Sequence, residues 1–280
     1  HDHHCTNNQI GPVRGGRSQE VGVWAKEKHR LLRRYVDICR ATRKKYIGKS
    51  KGGASYIDLF CGPGRAKIRD TGEWIEGSAV TAWNMSVQGG APFTKVIIGD
   101  ADEECLEAAT ARLRQVGAPV IALHGTAKET ASRALKESEP YGLNFAFLDP
   151  FNLGALDFKT FRTLSQIRRI DILVHVSKMD LQRNAANYTR EEEETAFDAF
   201  APGWRDHVDT RQSLQNIRMG VFQFWRELIA STGVWPSDDV RLVCGSRNQP
   251  LYWLLLAAKH DLAHKFWKEI SDDGQGKLDL

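Results

Sequence analysis

The chain has 280 residues, 41% of them hydrophobic and 26% charged, with a net charge of +4. That is the composition of an ordinary globular protein, with room for one large domain or two small ones. No apolar run approaches the roughly 20 residues of a membrane-spanning helix, and five scattered cysteines without a CxxC exclude a disulfide framework and favour a reduced, cytoplasmic setting.

The chain opens with His1, His3, His4 and Cys5, a set that reads either as a flexible, tag-like terminus or as a metal-binding cluster. Residues 6–22 are polar and glycine-rich and read as loop. From Trp24 to Tyr46, apolar residues recur at positions 24, 31, 32, 35, 38, 39, 42 and 46, which predicts an amphipathic helix. Residues 14–51 hold thirteen Lys/Arg against three Asp/Glu. Such a segment suits an anionic partner, nucleic acid foremost, or forms a solvated helix face. Ile47 to Gly53 is a linker.

Tyr56-Ile57-Asp58-Leu59-Phe60 predicts a buried strand, and Cys61-Gly62-Pro63-Gly64 a tight turn after it. A charge in such a run is costly unless something binds it, which marks Asp58. Residues 65–77 read as an inserted loop, with Trp74 either a stacking residue or packed beneath its own loop. Ser78 is the expected N-cap of a helix to Val87. A strand over 95–100, a helix over 101–116, a strand over 120–126, a helix over 127–138 and a strand over 144–151 follow. A helix over 157–167 and a strand over 171–176 complete five alternations, the mark of a parallel α/β sheet. Residues 178–218 are polar, and the acidic run Glu191 to Glu194 reads as a solvated helix face in preference to a metal site. Gly220 to Ser231 predicts a helix, 239–244 and 250–258 two final strands, and 260–270 a last helix.

Asp58, Asp100 and Asp149 all stand at strand ends, which in a parallel sheet share the ligand-binding edge. The glycine turn admits a bulky ligand, and Asp100 is placed to accept hydrogen bonds from ribose hydroxyls. Gly64 and Asp100 are 36 positions apart, and Lys67 occupies the third glycine position of a dinucleotide fingerprint. The inserted loop at 65–77 accounts for most of the excess over the usual spacing of about 20, and the incomplete fingerprint argues against NAD. Cys61 is a small packing residue rather than a nucleophile, and His124 and His175, also at strand ends, are either bases or ordinary hydrogen-bonded histidines.

Asp58 to Gly64 resembles the first motif of class I S-adenosylmethionine (SAM) methyltransferases, and Gly99-Asp100-Ala101-Asp102 their second. Gly125-Thr126-Ala127 stands where many members carry Gly-Asp-Ala. Leu148-Asp149-Pro150-Phe151 resembles the Asp-Pro-Pro-Tyr motif of enzymes that methylate exocyclic amines, without the second proline. The combination of Val21-Gly22-Val23-Trp24 with Lys26 and Lys28, the Tyr56 to Gly64 stretch, Gly77-Ser78, Asp149-Pro150-Phe151 and Leu254 to His260 is similar to the three-Cys-motif partner protein family. The resemblance implies a Rossmann-like fold with a seven-stranded, mostly parallel sheet and an antiparallel last strand. It implies SAM as cofactor, held by Asp58, Phe60, Cys61, Gly62, Gly64, Asp100, Ala101, Gly125 and Thr126. Asp149 and the Pro150 carbonyl are then expected to hold a target amine, with Phe151 stacking on it. The acceptor is expected to be nucleic acid, tracked by residues 14–51. The alternative is an inactive fold that partners a three-cysteine-motif, radical-SAM-type protein in a bacterial or phage system.

The expected organisation is a flexible segment over 1–22, a basic helical extension over 23–53 and a SAM-binding core over 54–177. A helical insertion over 178–238 and closing strands and helix over 239–280 follow.

Overall fold

The computed structural model describes residues 19–190 and 194–272. The His1–Cys5 cluster, Arg14, Arg17 and most of the acidic run at 191–194 lie outside the described residues. In chain order the elements are β1 (Gln19–Val21), α1 (Ala25–Ile38), α2 (Arg40–Lys44), β2 (Ala54–Asp58), β3 (Arg65–Ile68), β4 (Trp74–Glu76) and α3 (Ser78–Gln88). Then come β5 (Lys95–Asp100), α4 (Glu103–Gln115), β6 (Val120–His124), α5 (Ala127–Glu137), β7 (Leu143–Leu148), α6 (Phe158–Leu164) and β8 (Ile170–Ser177). The chain closes with α7 (Lys178–Arg190), α8 (Ala196–Phe200), α9 (Leu214–Ser231), β9 (Trp235–Cys244), β10 (Pro250–Ala258) and α10 (Asp261–Ser271).

Seven strands form one sheet in the order β6-β5-β2-β7-β8-β10-β9. β6, β5, β2, β7 and β8 are parallel, and β10 runs antiparallel to both β8 and β9. The antiparallel step is local in origin. Gly245 N–H donates to Gln249 O, closing a short hairpin that only antiparallel strands can share. All five residues of β2 are buried, as a central strand covered on both faces requires. Its side chains alternate: Ile57 joins the core with α5, α6 and α9, while Ala54 and Tyr56 join the core with α1, α3, α4 and α10. The helices therefore sit on both faces. Among the described residues no helix is long and apolar enough to cross a membrane.

Several expectations need correction. The first helix breaks at Cys39, whose N–H turns back to Tyr35 O and Asp37 O. Residues 65–77 are a β-hairpin rather than a loop, turning at Thr71-Gly72 with Gly72 at φ +69°. Their alternation of half-exposed Arg65 and Lys67 with buried Ala66 and Ile68 is a two-residue period. Residues 19–21, read as loop, add a parallel strand to that hairpin, giving a separate three-stranded sheet β1-β3-β4. Gly77, not Ser78, caps α3, which leaves the Ser78 hydroxyl free for another partner. β9 begins four residues earlier than the sequence suggests, at Trp235.

The basic segment is dispersed by the fold. Arg43 is buried, donating to Ala91 O (2.6 Å) and Val36 O (2.9 Å). Arg34 donates to Ile270 O, Arg30 pairs with Glu27 and Arg40 with Asp37. Residues 44–51 lead into the amino end of β2, the opposite end of the sheet from the three acids. Only part of the predicted phosphate track therefore remains available, and it faces two different ends.

Candidate active site

The carboxyl ends of β2, β5 and β7 open into a cleft of about 830 Å³. Its size is that of a cofactor or small-ligand site. The turn after β2 forms one wall. Gly62 and Gly64 hold positive φ of +54° and +72°, which side-chain-bearing residues rarely adopt. A Cβ on Gly64 would stand 3.1 Å from the Ala109 Cα, so the turn packs backbone to backbone on α4. Asp100 fastens it from the next strand: one oxygen accepts from Gly62 N–H (2.9 Å), the other from Asp102 N–H (2.9 Å). Phe60, Cys61, Asp100 and Ala101 all line the cleft.

Asp58 lies beneath this wall, fully buried. It accepts from the Tyr56 hydroxyl (3.2 Å), Phe60 N–H (3.1 Å) and the freed Ser78 hydroxyl (2.5 Å). What satisfies the charge in the apolar run is thus the protein's own α3, and the sequence-based expectation of direct ligand contact gives way to a supporting role. Burial pushes the carboxyl up to about 7, against the pull of the Ser78 and Phe60 donors. A carboxyl raised above its unfolded value near 4 contributes stability that is full below about pH 4 and lost as pH rises through about 7. In unfolding titrations from pH 4 to 8, the stability difference between wild type and Asp58→Asn should therefore fall with rising pH, by at most about 1.4 kcal/mol per pH unit. A constant difference across that range would contradict the assignment.

Cys61 is buried, its thiol pushed well above the ordinary value by burial, as a packing residue should be. Thr126 reaches the cleft but is committed to the cap of α5: its N–H (2.9 Å) and hydroxyl (2.8 Å) both donate to Glu129. Gly125, at φ +134°, closes the turn behind the wall, its N–H on Asp100 O.

The far end of the cleft holds Asp149, and the structure brings two residues to it: Lys28, for which the sequence suggested no role at the site, and His175, which it offered as a base or an ordinary hydrogen-bonded histidine. Lys28, from α1, pairs with one carboxylate oxygen, and His175 Nδ1, from β8, lies 2.8 Å from the other. The Lys28 and Asp149 side chains are 14% and 16% exposed, so the pair is mostly removed from water. Burial alone would raise the Asp149 carboxyl. The Lys28 charge and the His175 bond outweigh it and hold the group well below the usual carboxylate range. Burial holds His175 below the ordinary imidazole value despite Asp149. Tyr252, on β10, buttresses both partners: its ring meets His175 edge-on at 4.1 Å and lies 5.9 Å from Lys28 Nζ, and its hydroxyl donates to Trp24 O. His29 lines the same cleft, and burial, with Lys28 beside it, brings it down to about 4. At neutral pH the site therefore contains one compensated ion pair and two neutral imidazoles.

Lys28 carried a readable signal. It falls on the helix stripe formed by Trp24, Leu31, Leu32 and Tyr35, where an apolar residue is expected. His175 stood out only as a strand-end histidine. His124, by contrast, is exposed and its Nε2 stands near Ala101 O (3.2 Å). Phe151 is 81% exposed at the cleft mouth.

No family model and no curated protein matches this chain. Solved structures do. A Legionella pneumophila protein described by the family DUF519 is 10% identical with a TM-score of 0.52, over 92% of this chain and 98% of that one. An O-methyltransferase from Bacillus cereus in complex with SAH is 14% identical, TM-score 0.48, over 83% and 81%. A putative RNA methyltransferase from Pyrococcus horikoshii is 10% identical, TM-score 0.43, over 88% and 94%. The strand order and the single antiparallel strand make this a Rossmann-like fold, the architecture expected from the resemblance to class I methyltransferases.

Proposed function

We propose that this chain is a SAM-dependent methyltransferase acting on nucleic acid. The observation that carries it is one cleft joining the Gly62–Gly64 turn and Asp100 at one end to Asp149-Pro150-Phe151 at the other. The residues present fit the cofactor. Gly62 and Gly64, at φ +54° and +72°, make a turn without side chains at those two positions, and both line the cleft. Asp100 supplies a carboxylate for ribose hydroxyls, and Phe60 and Ala101 supply apolar surface beside it. When bound, SAM supplies an electrophilic methyl group and leaves as a neutral thioether.

The protein's task is then alignment. Asp149 accepts from the acceptor N–H, sharing or replacing the Lys28 ammonium, and Phe151 stacks on the acceptor ring. The methylated nitrogen sheds one proton to solvent water at the mouth of the cleft, while His29, brought down to about 4 by burial, stays neutral in the wall. Calorimetry tests the first half: SAM should bind, and no heat at concentrations near millimolar would sink the reading. Labelled-methyl transfer to separated RNA, DNA and protein fractions of a cell extract tests the second, with label expected in a nucleic-acid fraction.

One observation favours a second reading. Both Asp149 oxygens are already engaged by Lys28 and His175. A methyltransferase fold closed in this way suits an inactive partner of a three-cysteine-motif protein, the relationship that the sequence resemblance implies. That reading expects SAM binding without an acceptor, or neither.

A further inference from the structure

The cleft does not end at Phe151. A second groove of about 340 Å³ lies between α7 and the loop that follows β7, and Phe151, Asn152 and Gly154 line both. Its far wall is polar, with Arg183, Asn184 and Tyr188 from α7. Asp180 fixes that wall to the loop. It accepts from Leu153 N–H (2.7 Å), the Tyr188 hydroxyl (3.1 Å) and the Asn184 amide. The groove is thus a built feature, held open by a fully engaged carboxylate.

Three facts define what it takes. Phe151 projects between the two concavities with most of its ring in solvent, as a wedge between neighbouring flat groups would. Arg183 is exposed and makes no ion pair among the described residues. Asn152, on the opposite wall, and Asn184 beside Arg183 supply further polar groups along the groove. Two adjacent pockets, an aromatic wedge and an exposed cation match consecutive nucleotides of an unpaired strand, whose bases can separate and stack individually. A duplex would have to open first.

We propose that this groove is the subsite for the nucleotide next to the one entering the cleft, in a single-stranded nucleic acid, with Arg183 on the phosphate between them. The proposal rests on the nucleic-acid reading above and narrows it to unpaired strands.

Fluorescence anisotropy with a labelled, mixed-sequence 12-nucleotide RNA and its DNA counterpart, each single-stranded and as a duplex, tests it beside SAM calorimetry. Single strands should bind more tightly than duplexes. Arg183→Glu should weaken single-strand binding about tenfold, and Arg183→Ala should reduce the slope of log affinity against log salt by about 0.7. Lys136→Ala, an exposed cation in the last turn of α5 that lines neither cavity, should change neither. SAM affinity should be unaffected by all three. Unchanged affinity and salt slope in the Arg183 variants, tighter duplex binding, or SAM binding with no oligonucleotide binding would each overturn the subsite. Arg183-dependent oligonucleotide binding without SAM binding would instead uphold the subsite and overturn the methyltransferase reading.

Discussion

Asparagine at position 149 is expected to lower methyl transfer by about two to three orders of magnitude while leaving SAM affinity within about threefold. The substitution keeps the shape of the side chain but removes its charge, so the acceptor nitrogen loses the anionic partner that orients it. It also strands Lys28. That ammonium is mostly excluded from water, and its counter-ion is Asp149. Removing one member of such a pair costs roughly 3–5 kcal/mol, so loss of activity in the single variant could be confused with loss of fold. A double-mutant cycle separates the two. Lys28→Met together with Asp149→Asn replaces a buried ion pair by neutral groups, and should recover much of the stability lost by either single variant. It should recover none of the transfer. If Asp149→Asn transfers methyl groups at the wild-type rate, the catalytic assignment is wrong. If the wild type itself transfers none to any fraction, while SAM binds, the inactive-partner reading prevails.

The parts of this molecule that the sequence disclosed are those governed by burial on both sides of a sheet. Lys95 to Asp100 and Leu143 to Leu148 are near-continuous apolar runs, and such runs have few other places to go. Each is followed or ended by an acid, so strand order in the chain is enough to set the three strand-end carboxylates on one edge. What stayed hidden depends on distant contacts. The β3–β4 hairpin is short and carries Arg65, Lys67, Asp70 and Glu73, so its charges obscured its period. It becomes a sheet because β1 pairs with it and because Lys26 on α1 reaches Glu73 (2.5 Å). The role of Asp58 was misjudged for a related reason. Its partner Ser78 lies beyond the hairpin, and nothing local in the sequence shows the hydroxyl turning back to β2. Thr126 and Glu129 have the spacing of a capping box, which commits the Thr126 N–H and hydroxyl proton to Glu129. Net charge alone does not place the cations. The excess of cations over 14–51 is real, but Arg30 and Arg40 are matched by acids three residues away and Arg43 is a core residue. Charge count along a chain is a statement about solution fields, and the fold decides which charges still face solution.

The complementary experiment is at the other end of the cleft. Asp100→Ala should weaken SAM binding by about 30- to 100-fold, the opposite signature to Asp149→Asn. Two losses combine. The carboxylate that would meet the ribose hydroxyls disappears, and a hydrogen bond to a charged group contributes about 1.5–3 kcal/mol. The N–H groups of Gly62 and Asp102 also lose their acceptor. Gly62 stands at positive φ in a turn that has no side chains of its own to hold it at Gly62 or Gly64, so Asp100 is part of what keeps the turn in its ligand-ready shape. Asp100→Asn discriminates the two contributions. Its single amide oxygen can still accept from Gly62, while its NH₂ group opposes the Asp102 N–H, so its affinity should fall between wild type and alanine. At saturating SAM, transfer by Asp100→Ala should recover substantially, because Asp149, Lys28 and His175 belong to the loop after β7, α1 and β8 and do not depend on the turn. Calorimetry of SAM with each variant, followed by transfer assays at increasing SAM, reads both effects. Should Asp100→Ala bind SAM as tightly as wild type, the cofactor does not lie where this cleft would put it, and the division of the cleft into a binding end and a transfer end fails with it.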